Sequence, residues 1–132
     1  MIDHIGINVP DLASTKTYYD ALMPLLGFEP FVVGDDQFSY RPAGGKPGTY
    51  FFFYPTLEAG TYSRHRIGLQ HLAFYVRSRD VVRAAHDKAI ELGSEIIYAP
   101  QAFPQYHASY YATFWYDPNG FMIEAVCHKP EE

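Results

Sequence analysis

Between Ile2 and Val9 the apolar residues Ile5, Ile7 and Val9 alternate with His4, Gly6 and Asn8. A period of two marks a strand with one packed face and one different face, so His4 is expected to point away from the packed side. The same alternation returns at Leu72, Phe74 and Val76 against His71, Ala73 and Tyr75. A helical pattern follows each strand. The first runs from Leu12 to Leu26 with Leu12, Tyr18, Leu22, Leu25 and Leu26 on one side. Pro24 should disturb its last turn, and Gly27 offers a left-handed stop. The second runs from Asp80 to Leu92, with Val82, Ala85, Ala89 and Leu92 inside and Gly93 as its stop. Three strand-like stretches come after each helix: Phe28–Val33, Gln37–Arg41 and Thr49–Tyr54, then Glu95–Tyr98, Tyr110–Tyr116 and Phe121–Cys127. Gly34–Asp36, Ala43–Gly48 and Asp117–Gly120 carry turn chemistry, and Ala99–Ser109 reads as a loop.

This order repeats. An offset of 67 residues carries His4 onto His71, Val9 onto Val76, Asp11 onto Ser78 and Asp20 onto Asp87. Asp11 and Ser78 are both competent helix N-caps just past a strand, so the match is one of role as well as of letter. The chain therefore reads as one α+β domain over residues 1–132, built from two βαβββ modules: module one 1–54, a linker 55–68, and module two 69–128.

Two histidines at equivalent places on equivalent strands would put two imidazoles on one concave surface if the modules pair about a pseudo-twofold axis. Glu124 supplies a carboxylate in Gly120–Cys127, a stretch otherwise too apolar for an unpaired charge. A buried lone carboxylate must neutralise, find a cation or bind metal. Two His and one carboxylate form the facial ligand set of non-haem Fe(II) sites, and Mn, Co, Ni or Zn occupy related ones. Taken singly, each residue also has a structural reading: a strand His satisfied by a carbonyl, or a Glu at a sheet edge.

Composition narrows the partners. The 132 residues hold 10 Lys and Arg against 15 Asp and Glu, and a net charge of −5 gives no general attraction to nucleic acid or anionic membranes. No apolar run approaches the roughly 20 residues of a membrane span, and Met1-Ile2-Asp3-His4 lacks the charge pattern of a leader. A cytoplasmic location is expected. Cys127, the one cysteine, reads as a buried thiol. Aromatics reach 17%, which serves both a β-rich core and the walls of a small-molecule pocket.

The segments Ile2–Asp11, Tyr18-Tyr19, Leu25–Phe28, Gln70–Phe74 and Asp117–Gly120 leading to Glu124 together resemble the glyoxalase, bleomycin-resistance and extradiol-dioxygenase superfamily, also called vicinal oxygen chelate proteins. The resemblance covers essentially the whole chain. It implies paired βαβββ modules that form a curved mixed sheet around a metal-binding cavity. It also implies a divalent metal ion (Fe, Mn, Ni, Co or Zn) held by His4, His71 and Glu124. On that reading the protein is a metalloenzyme that chelates two adjacent oxygens of a small-molecule substrate, acting as a lyase or isomerase, a thiol transferase or a dioxygenase. The alternative is a metal-free drug-binding protein of the bleomycin-resistance type.

One departure matters. Glyoxalase I sites resemble this one with a fourth protein ligand, and aligning Gly48 with Gly120 places Phe52 where Glu124 falls. A phenyl ring cannot ligate, so a three-ligand site is expected. Counting ten back from Glu124, the position at which the resemblance to extradiol enzymes implies a tyrosine beside the metal ligands falls on Phe114, which argues against direct ring cleavage. Tyr50, Phe52, Tyr54, Tyr75, Phe114 and Tyr116 are the expected pocket walls. His107 joins Glu124 as a candidate catalytic residue, since histidine titrates near working pH, against the plainer reading of a solvated loop side chain. Arg64-His65-Arg66 either attracts an anionic substrate or is solvated linker charge. A homodimer is expected, in which sites are shared between two chains.

Overall fold

The computed structural model describes residues 1–130. The chain divides into two compact units, Met1–Thr61 and the stretch from Tyr62 onward.

In the first unit β1 (His4–Val9) leads into α1 (Leu12–Leu22), a short 3-10 helix (Met23–Leu26), β2 (Phe28–Val33), β3 (Phe38–Pro42) and β4 (Tyr50–Pro55). Asp11 caps α1, its carboxylate accepting from the amides of Ala13 at 3.1 Å and Ser14 at 3.5 Å. The helix expected through Leu26 changes to 3-10 geometry at Met23. Pro24 sits in its first turn, and Gly27 closes it at φ 89°, where a side chain would be strained. The strands order as β1-β4-β3-β2, with β1 parallel to β4 and the other pairs antiparallel. Ile7, Val9, Phe51 and Phe53 are buried together with Thr15, Tyr18, Tyr19 and Leu22 of α1. The Phe53 ring lies 4.9 Å from Tyr19 and stacks on Phe38 at 4.9 Å. The opposite face of β1, with His4, Gly6 and Asn8, stays open, as the alternation predicts.

The second unit repeats this plan. β5 (Leu72–Tyr75) leads into α2 (Arg79–Glu91), β6 (Ile96–Ala102), β7 (Tyr111–Tyr116) and β8 (Met122–Cys127), in the order β5-β8-β7-β6 with β5 parallel to β8. Ser78 caps α2 by accepting from the Val81 amide at 3.2 Å. Val81, Val82, Ala85 and Ala89 are buried on the side of α2 that meets β6, β7 and β8. There they close over Trp115, Ile123, Ala125 and Cys127, each with no exposed surface. Full burial of a large apolar side chain of this kind stabilises by roughly 1.5–3 kcal/mol. β6 runs past the point where a loop was expected. It is an edge strand, where proline is tolerated, and its pairing with β7 shifts register between Tyr98 and Gln101, the stretch that contains Pro100.

β8 is hydrogen-bonded on both sides, between β5 and β7. The turn before it is built by Asp117, whose Oδ1 accepts from the amides of Asn119 at 2.8 Å and Phe121 at 2.9 Å, while Gly120 takes φ 87°. That turn fixes which β8 residues face the helix and which face away.

Candidate functional site

Glu124 pairs with Ala73 of β5 and Phe114 of β7, on the face of the second sheet turned away from α2. It is 1% exposed. Its two oxygens have different neighbours. Oε1 lies 3.2 Å from His71 Nε2, and Oε2 accepts from the Tyr110 hydroxyl. Burial, then the bond to Glu124 and its negative charge, hold the Tyr110 phenol well above the ordinary tyrosine range, so it remains a donor.

The two histidines are oriented alike. His4 Nδ1 lies 2.7 Å from Asp3 Oδ2, and His71 Nδ1 meets Gln70 Oε1. Both partners are acceptors, so in the neutral ring Nδ1 carries the hydrogen and Nε2 keeps the lone pair. A ligating histidine is commonly held in this way, with its second nitrogen donating to a carboxylate or carbonyl oxygen. For His71 the consequence is sharp. A lone pair and a carboxylate oxygen 3.2 Å apart repel unless a proton or a metal cation lies between them. Among the described residues no group of three or more His, Cys, Asp or Glu side chains is gathered as a ready metal cage. What is gathered is the His71–Glu124 pair.

A cavity of about 570 Å³ opens beside this pair, within the usual range of small-molecule sites. Phe114, Phe103, Tyr98 and Tyr106 supply apolar wall. Arg64 also lines it, held by donation from Nε to the Tyr116 hydroxyl at 2.8 Å.

The expected pocket residues divide between the units. Phe114 lines the cavity, 6.1 Å from the His71 ring, and Tyr116 reaches it through Arg64. Tyr75 is exposed and stacks on His128 at 5.5 Å. Tyr50, Phe52 and Tyr54 lie beside His4, Gly6 and Asn8 on the open face of the first sheet, where the Phe52 ring is 5.5 Å from His4. His107 is not among the cavity residues. Its Nδ1 accepts from the Ser109 amide at 3.0 Å, its Nε2 faces His128 Nδ1 at 2.5 Å, and its ring lies 5.5 Å from Tyr110.

The sheet register settles which residue stands where Glu124 does. Gly6 pairs with Phe52 as Ala73 pairs with Glu124, and the offset of 67 makes Gly6 the counterpart of Ala73. Phe52 is therefore the counterpart of Glu124. Sequence reasoning missed Tyr110, Gln70 and Asp3. Asp3 and Gln70 were visible as a polar residue before each histidine, related by the same offset; Tyr110 had no local signal.

The family model for the Glyoxalase/Bleomycin resistance protein/Dioxygenase superfamily matches residues 1–125. The chain belongs to this superfamily. Its members' structures repeat the fold described above. A Bacillus halodurans protein, provisionally assigned as a glyoxalase, aligns with a TM-score of 0.80 and 31% identity over 96% of this chain and 95% of that one. A glyoxalase/bleomycin resistance protein from Albidiferax ferrireducens gives 0.79 and 25% over 96% and 98%. The uncharacterized protein YqjT of Bacillus subtilis is 27% identical over 127 residues, 93% of this chain and 95% of its own. No helix of the described residues is long and apolar enough to cross a membrane.

Proposed function

We propose that this superfamily member is a metal-dependent enzyme acting on a small molecule with two adjacent oxygens, with His4, His71 and Glu124 as the ligands of one divalent cation. The observation that carries the reading is the state of the imidazoles. Asp3 and Gln70 take up Nδ1 of each, which leaves Nε2 as the ligating nitrogen, and in the second unit that nitrogen faces a buried carboxylate at 3.2 Å. The donor set suits Fe(II), Mn, Co, Ni or Zn. When bound, such an ion supplies Lewis acidity toward two vicinal substrate oxygens, which is compatible with isomerisation, epoxide opening and O₂ insertion.

The chain's own residues do the rest. Tyr110 holds one oxygen of Glu124 so that the other stays aimed at His71. Phe114 and Phe103 exclude water from the substrate's apolar part, and Arg64, fixed by Tyr116, presents a positive charge to an anionic group. His107 packs its ring against that of Tyr110 at 5.5 Å.

A second reading keeps the cavity and drops the metal. His71 as imidazolium and Tyr110 as donor would satisfy Glu124 without a metal ion, leaving a drug-binding cleft of the bleomycin-resistance kind. Elemental analysis of protein prepared without a polyhistidine tag separates the two. About one metal ion per chain, lost in His71→Ala and Glu124→Gln, supports the enzyme. Metal-free protein that still binds small aromatic ligands supports the cleft.

A further inference from the structure

Among the described residues, Arg64 is the one lysine or arginine that lines the cavity of His71 and Glu124, and Glu124 is the one carboxylate there. Tyr116 fixes the guanidinium: Nε donates to its hydroxyl at 2.8 Å, and the central carbon lies 5.8 Å from the centre of its ring. That bond uses the side of the fork. Its end, Nη1 with Nη2, matches the two oxygens of a carboxylate in one plane. Asp117, whose charge acts on the Tyr62 phenol together with that of Arg64, does not line the cavity and gives its Oδ1 to the amides of Asn119 and Phe121.

The register of β7 with β8 sets the spacing. Phe114 pairs with Glu124 and Tyr116 with Met122, so the tyrosine that anchors Arg64 and the buried carboxylate belong to successive rungs on one face of the sheet. Two residues of strand span about 6.6–6.8 Å. A single aromatic ring with a substituent at each end covers that span. The walls suit such a ring. Phe103 meets Tyr98 edge to face at 5.8 Å and Phe114 at 5.5 Å, and Phe114 meets Tyr98 in the same way at 5.6 Å. Rings packed in this manner present both edges and faces, the two surfaces against which a further ring packs.

We infer that the substrate is an aromatic monocarboxylic acid, with its carboxylate on Arg64 and its two adjacent oxygens at the opposite end, toward His71 and Glu124. The inference rests on the metal-dependent reading above for those oxygens, and on Arg64 for the carboxylate. Charge selects a single negative group. One guanidinium balances one anion, whereas a dianionic phosphate would leave surplus negative charge one rung from Glu124. The remaining polar lining includes Gln70, Gln101 and Gln105, which offer hydrogen bonds without adding charge.

Calorimetric titration of the full chain at neutral pH, first treated with a chelator, compares benzoate, benzamide and cyclohexanecarboxylate. Benzoate should bind roughly tenfold or more tighter than its neutral isostere benzamide, and severalfold tighter than cyclohexanecarboxylate. Both comparisons use the parent chain, so no variant has to fold. Arg64→Gln should abolish the preference for the acid, and Tyr116→Phe should reduce it while keeping the charge. A second arm uses protein reloaded with Mn(II) and freed of excess ion, and adds 3,4-dihydroxybenzoate, whose paired hydroxyls should strengthen binding only when metal is present. The proposal is overturned if benzamide or cyclohexanecarboxylate binds as well as benzoate, or if Arg64→Gln keeps the preference for the acid. A preference for benzoate that depends on Arg64, with no gain from the hydroxyls on reloaded protein, supports the carboxylate subsite and counts against the metal ligands instead.

Discussion

The Tyr110 hydroxyl donates to Glu124 Oε2, while His71 Nε2 lies 3.2 Å from the other oxygen, Oε1. The carboxylate is thereby fixed in rotation, with one oxygen committed to the fold and the other turned toward the imidazole. Tyr110→Phe removes the hydroxyl and little else. Metal affinity, measured by competition with a chelator, should fall by roughly 10–100-fold, the usual effect of losing a partner that orients a ligand. An unchanged affinity would mean that β8 alone aims the carboxylate.

Phe52 gives a gain-of-ligand test. It is the counterpart of Glu124 by register, and its ring is 5.5 Å from that of His4. With three protein ligands, a Co(II)-substituted sample should show more than four ligands in total, since water fills the open positions. Phe52→Glu offers a fourth protein donor and should tighten metal retention and change the Co(II) absorption spectrum. If the parent spectrum is already that of a closed four-coordinate site, the three-ligand proposal fails.

Much of this was legible in the sequence, for physical reasons that differ by element. The alternation through His4 and His71 showed which face each imidazole would take, because side-chain period in a strand is rigid. Asp11 and Ser78 announced the helix starts through their capping chemistry. Helix ends were less legible: Met23–Leu26 keeps the apolar pattern of α1 yet winds as 3-10, because Pro24 cannot donate. The extension of β6 to Ala102 was hidden by Pro100, which an edge strand tolerates. Tyr110 could not be assigned beforehand. Its contact with Glu124 spans 14 residues and depends on the pairing of β7 with β8. For Arg64 the sequence left attraction of an anionic substrate and solvated linker charge both open, because only its bond to Tyr116, 52 residues away, brings it to the cavity.

Tyr40 predicts how stability responds to alkali. It is 1% exposed, and its hydroxyl donates to Asp20 Oδ1 at 2.8 Å, while Lys16 holds Oδ2 at 2.6 Å. Burial, then the bond to Asp20 and its charge, push the Tyr40 phenol far above its ordinary range. The folded state thus keeps a proton that the unfolded chain loses near pH about 10. The stabilisation is full below that pH and declines as pH rises above it. Tyr40→Phe should cost about 0.5–1.5 kcal/mol at neutral pH and flatten the alkaline fall. Urea melts of both proteins across that range check this, and parallel curves would remove Tyr40 as the cause.

The last prediction concerns which chain supplies His4. His71 and Glu124 belong to the second unit and form a pair there, whereas His4 belongs to the first. Two βαβββ units can pair within one chain, or each can pair with the opposite unit of a second chain. We propose the second arrangement, since a closed twofold dimer covers exposed sheet edges and builds two equivalent sites. Each site would then take His4 from one chain and His71 with Glu124 from the other. Complementation separates the cases. His4→Ala chains and Glu124→Ala chains are refolded together, and bound metal is measured on mixed dimers confirmed by native mass spectrometry. Sharing predicts one intact site per mixed dimer, formed by His4 of the Glu124→Ala chain with His71 and Glu124 of the His4→Ala chain. Neither variant alone should hold metal, so recovery in the mixture reads the exchange directly. If mixed dimers form and stay empty, each chain builds its own site.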